Sequence, residues 1–105
     1  MIKCICIDDS GRPDVIPISH WVKKDQEYTI NYVYKMVLQG GILGVALNEI
    51  DLTSLNIGYD CFKITRFAID IKDLKAFVEL AKDCKELGDL DFQTMIEEQL
   101  VLIEN

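Results

Sequence analysis

Arg66-Phe67-Ala68-Ile69-Asp70-Ile71-Lys72-Asp73-Leu74-Lys75-Ala76-Phe77 is where the chain changes its rhythm. Ahead of Asp70 the apolar residues come in short runs, largely β-branched or aromatic and broken by turn residues. Beyond it Ile71, Leu74, Phe77 or Val78, Ala81 and Cys84 recur at three- and four-residue steps, the spacing of one helix face. Strand patterning followed by helix patterning predicts a mainly β fold with C-terminal helices, an α+β chain. Asp70 stands at the change and suits a helix cap, because its carboxylate can accept an amide proton from the first turn.

Upstream, Lys3 to Asp8 reads as a first strand, with Cys4 and Cys6 opposing Ile5 and Ile7 so that both faces look buried. Asp9-Ser10-Gly11-Arg12-Pro13 ends it in a turn, and Pro13 and Pro17 bracket an irregular segment that runs to Trp21. Trp21 is the expected plug at a rim, where its indole N–H can reach water or a carbonyl. After the polar turn Lys23-Lys24-Asp25-Gln26 comes a long strand from Glu27 to Leu38. Its alternation puts Tyr28, Ile30, Tyr32, Tyr34, Met36 and Leu38 on one face, the expected core face, and Asn31 suits a bulge. Gln39-Gly40-Gly41 reads as the hairpin turn, Ile42 to Asn48 as the return strand, Asp51 to Gly58 as a loop, and Phe62 to Phe67 as a last short strand. These strands predict a small SH3-like barrel over residues 1–69. An acidic extension over 70–105 follows, with helices at about 71–87 and 91–103 separated by Gly88.

At 105 residues, half of them apolar, the chain is long enough for one core. No apolar run approaches the ~20 residues that span a bilayer. The opening Met1 to Ile7 is too short for a secretory signal, so a cytoplasmic address and no membrane partner are expected. Cys4, Cys6, Cys61 and Cys84 are then free thiols. Of the net charge of −7, residues 70–105 carry −6, from four lysines against ten acids. That tail would repel polyanions and argues against nucleic acid.

No catalytic constellation and no cofactor signature stand out. Asp8, Asp9 and Asp14 offer a weak alternative cation site, since three carboxylates can hold Mg²⁺ or Ca²⁺, but they lack the spacing of a dedicated loop. Ser19 and His20 are neighbours, an arrangement that seldom aligns a nucleophile with its base. Gly40-Gly41-Ile42-Leu43-Gly44 lacks the lysine and the strand–loop–helix context of a phosphate loop. The candidates that remain are interaction surfaces. One is aromatic, with Trp21, Tyr34 and Tyr59; the other is the apolar stripe Phe92, Met95, Ile96, Leu100 and Ile103, expected to pair two copies into a homodimer.

The run Cys6-Ile7-Asp8-Asp9 … Pro17 … Trp21-Val22-Lys23-Lys24 … Tyr28-Thr29-Ile30 … Gln39-Gly40-Gly41-Ile42-Leu43-Gly44 … Glu49-Ile50 … Arg66-Phe67 resembles small SH3-like barrel proteins of Bacteroides-type bacteria and of their phages and mobile elements. The resemblance covers about residues 2–68. It implies the barrel and a phage or mobile-element association, and it implies no activity. This chain departs from it at Asp25, where such proteins often carry glycine; an aspartate there needs a negative φ or a left-handed conformation. The sequence therefore predicts a non-enzymatic protein-interaction or regulatory module with an unnamed protein partner. The alternative is a small-molecule or nucleotide binder, or a small enzyme, with a pocket between barrel and helices.

Overall fold

The computed structural model describes residues 2–36, 42–84 and 97–104. The strands are β1 (Ile2–Cys6), β2 (Glu27–Met36), β3 (Ile42–Leu47), β4 (Phe62–Lys63), β5 (Phe67–Asp70) and β6 (Val101–Ile103). One helix, α1 (Leu74–Asp83), follows β5, and residues 97–99 form a helical turn. The strands make one six-stranded sheet in the order β4-β3-β2-β1-β5-β6. Every pairing is antiparallel except β5 with β6, which is parallel.

The expected SH3-like barrel is not formed. Closure requires the two outer strands to pair with each other, and here β4 and β6 are separate edges. The edge of β5 that closure would use is taken by β6, which sets Ala68, Ile69 and Asp70 against Val101, Leu102 and Ile103. The same pairing corrects the expected helix over 91–103 at its end. Val101-Leu102-Ile103 is apolar on too many sides for a solvated helix terminus, and as a strand it finds β5 for its backbone groups. Residues 91–96 lie outside the described residues, as does the expected turn at Gln39-Gly40-Gly41.

In β1 one face is buried rather than two: Ile2, Cys4 and Cys6 point into the core, while Lys3 is exposed and Ile5 half-buried. β2 shows the opposite kind of departure. The register with β3 shifts between Ile30 and Tyr32, so Asn31 is the extra residue of a bulge. One inserted residue moves everything after it to the other face. Tyr28, Ile30 and Val33 are buried, whereas Tyr32 and Tyr34 are half-buried and pack against each other with tilted rings at 4.7 Å. The expected single core face from Tyr28 to Leu38 therefore breaks at Asn31.

Asp70 caps the turn at Ile71–Asp73 by accepting from the Lys72 N–H at 2.9 Å. α1 then buries Phe77 and Ala81, and Cys84 after it, in the same core as β1, β2 and β3. The Cys84 thiol sits at a junction. Its Sγ accepts from the buried Val33 N–H at 3.5 Å and donates to the Leu80 carbonyl at 3.3 Å. Cys84→Val keeps the volume but leaves that amide without an acceptor, so we expect a loss of about 1–3 kcal/mol in urea unfolding. Cys84→Ser should lose less, because its hydroxyl can still accept.

Asp25 adopts φ 72°, the left-handed region. It closes the turn into β2, where its N–H donates to the Cys6 carbonyl at 2.8 Å and the Gln26 N–H donates to the Lys23 carbonyl at 3.1 Å. Aspartate tolerates this conformation better than most residues. In urea unfolding Asp25→Val should cost about 1–2 kcal/mol relative to Asp25→Gly, because a β-branched side chain crowds its own carbonyl at positive φ.

Candidate functional site

The connection from β1 to β2, residues 7–26, is long for a compact domain, yet it is held at many points. Ile16, Trp21 and Val22 fold under the end of the sheet and are buried. The carbonyls of Asp8, Asp9 and Ser10 would otherwise point away from any ladder. Arg66 donates from Nη1 to the Asp8 oxygen at 3.2 Å and the Ser10 oxygen at 2.6 Å. The Trp21 indole N–H donates to the Asp9 oxygen at 2.7 Å, the rim contact expected of it. The Arg66 guanidinium lies 4.7 Å from the Trp21 ring centroid, a cation–π stack, and Trp21 packs on Phe62 at 5.5 Å. Arg12 ties the far side by donating to the Ile16 carbonyl at 2.6 Å.

These contacts build the wall of a half-open groove of about 190 Å³. The loop side supplies Gly11, Pro13, Ile16 and Trp21; the opposite side supplies Tyr59, Cys61, Phe62 and Lys63, with Arg66 between them. Val15 and Ile18 on the same loop are 57% and 71% exposed, the two most exposed large apolar side chains among the described residues. Trp21 and Tyr59, two of the expected aromatic candidates, meet in this groove. Tyr34 does not; it lines a separate cleft of about 340 Å³ with Asn31, Asp51 and Asp60. Leu100 packs against the core of its own chain, and Ile103 is half-buried in β6. Phe92, Met95 and Ile96 lie outside the described residues. Arg66 and Lys63 were not among the sequence candidates. The available signal was Arg66 itself, one of two arginines in the chain, set between two aromatic residues at the strand-to-strand corner.

One thiol, Cys61, lines the groove. Burial is the main cause that pushes the Cys61 thiol up to about 11, with the Asp60 charge adding to it, so it is a poor nucleophile at neutral pH. Burial also pushes Cys4 up to about 12, raises Cys6, and raises the Tyr28 hydroxyl. Ser19 Oγ lies 3.1 Å from His20 Nδ1, closer than adjacency suggested. The pair is exposed, lies outside the groove lining, and has no carboxylate bonded to the other ring nitrogen among the described residues.

The structure does not bring Asp8, Asp9 and Asp14 into a ligand set. Asp8 accepts from the Ser10 hydroxyl and N–H, which hold its carboxyl below the usual range, and it approaches Arg66 at 3.8 Å. Asp9 accepts from the Lys24 N–H at 3.0 Å. Among the described residues no group of three His, Cys, Asp or Glu side chains could hold a metal ion. No helix among them is long and apolar enough to cross a membrane. Comparison with known proteins gives no match, whether to a family model, a curated protein or a solved structure.

Two outcomes follow from this geometry. Arg66→Lys removes the delocalised guanidinium that lies over the Trp21 ring while its Nη1 donates to two carbonyls. It should cost about 1.5–3 kcal/mol in urea unfolding and red-shift the emission of Trp21, the only tryptophan. The raised thiols set a pH limit. In the unfolded chain they ionise near 9, whereas in the fold Cys61 waits until about 11 and Cys4 until about 12. Their contribution is therefore fully present below pH 9 and is lost as pH rises towards 12. The urea midpoint should hold level from pH 7 to 8 and fall progressively above 9, with Cys61→Ala removing part of the fall.

Proposed function

We propose that this chain is a non-enzymatic protein-interaction module that seats an extended peptide in the groove between the 9–21 loop and residues 59–63. One observation carries the reading. Trp21 and Phe62, both largely buried and fixed by Arg66, form the rigid base of the groove, and the loop that walls it carries the exposed Val15 and Ile18. Val15, Ile18 and the half-buried Tyr59 offer apolar contact area, and the frozen base beneath them lowers the ordering cost of binding. The four free cysteines fit a reducing compartment such as the cytoplasm.

The test is a selection from a displayed library of random octapeptides against the full chain, followed by titration of the selected peptides with Trp21 emission as readout. We expect dissociation constants in the micromolar range and a shift in emission on binding. Ile18→Ser, on the exposed loop, and Tyr59→Ala, half-buried in the groove lining, should each weaken binding by about fivefold or more. Peptides that bind without moving Trp21 emission, and with equal affinity for both variants, would place the contact elsewhere and refute the reading.

A further inference from the structure

Building on the proposed peptide groove, we infer that its ligand carries an acidic side chain and that Lys63 is the residue that reads it. The chain has a net charge of −7, yet the groove lining holds two cations, Lys63 and Arg66, and no carboxylate. Arg66 is already committed. Its guanidinium serves the Asp8 and Ser10 carbonyls, stacks on Trp21 and stands 3.8 Å from the Asp8 carboxylate. Lys63 is not. Among the described residues no carboxylate lies within ion-pair distance of it. Asp60, the nearest acid in sequence, lines the neighbouring cleft with Asp51 instead.

The register adds to this. Lys63 on β4 stands directly opposite Gly44 on β3, which has no side chain to pair with it, and Tyr34 of β2 comes next across the sheet. As a residue Lys63 is half-buried. A neutral peptide laid across the groove would strip further water from the ammonium and offer little in return, which penalises such a ligand. A glutamate or aspartate on the peptide replaces that water with a charge-assisted hydrogen bond. The general negative charge of the chain does not forbid this, because beyond about 8 Å it is screened at physiological salt. It slows the encounter and leaves the choice of ligand to the local contact.

The experiment runs the octapeptide selection in parallel on the full wild-type chain, on Lys63→Gln and on Lys63→Glu. For the wild type we expect Asp or Glu to be enriched at one position, at fixed spacing from an apolar residue. Lys63→Gln should lose that enrichment and bind the wild-type peptides about fivefold more weakly. Lys63→Glu should shift the preference to Lys or Arg at that position. Raising salt from 50 to 300 mM should weaken the wild-type complex and leave the Lys63→Gln complex nearly unchanged. Urea midpoints close to wild type would show that both variants are folded. If peptides move Trp21 emission but show no acidic preference, or bind Lys63→Gln equally well, the inference about Lys63 fails while the groove stands. If no selected peptide moves Trp21 emission, the groove itself fails and the inference with it.

Discussion

The groove depends on a three-carbonyl clasp at the end of the sheet. Asp8, Asp9 and Ser10 leave β1 as exposed residues whose carbonyls have no strand partner, so only side-chain donors or water can hold them in one place. Arg66 and Trp21 answer all three, and the Arg66 carbonyl in turn accepts from the Ile7 N–H at 2.7 Å. The loop is thus tied to the β4–β5 corner by both the backbone and the side chain of one residue. Because the guanidinium also stacks on Trp21, the hydrogen bonds that hold the loop orient the ring as well. A lysine could supply charge and donors, but not a guanidinium that lies over the ring while one of its nitrogens reaches both carbonyls.

A second constraint lies at Asn31. The bulge lets β2 serve two neighbours along its length. Before it, Ile2 and Cys4 of β1 face Ile30 and Tyr28; after it, Tyr32 to Met36 face β3. The change of phase brings Val33 inward, and its amide meets the Cys84 thiol at the end of α1. The helix is therefore docked by its apolar stripe of Phe77 and Ala81 and also by a polar contact at the irregular point of the sheet. A thiol suits that place. It is small, packs as an apolar group, and can still accept and donate weakly.

How much of this was legible follows from how local each signal is. The strand from Glu27, the cap at Asp70, the helix face of Phe77 and Ala81, and the indole contact of Trp21 all follow from a few adjacent residues. Asn31 was legible as a bulge, but its consequence for Tyr32 and Tyr34 shows only when the phase is counted through it. The open sheet was not legible. Closure is decided by whether β5 keeps a free edge, and the strand that takes that edge comes from Val101–Ile103, more than thirty residues later. Those residues read equally well as the end of a helical stripe, because a three-residue apolar run carries no period of its own. Lys63 and Arg66 were hidden for a related reason. A lone cation in sequence is ordinary, and it gains meaning only once the fold shows which carboxylates lie out of reach.

The geometry also says where discrimination would reside. A groove whose floor is fixed by intramolecular bonds loses little conformational freedom when filled, so the ordering cost falls mainly on the ligand. In the proposed groove, apolar contact would be tolerant of sequence, whereas the Lys63 ammonium would not: an acid satisfies it and a neutral cover penalises it. Placing one such charge in an otherwise aromatic cleft turns a general surface into a selective one, with most of the selectivity coming from the ligands it rejects.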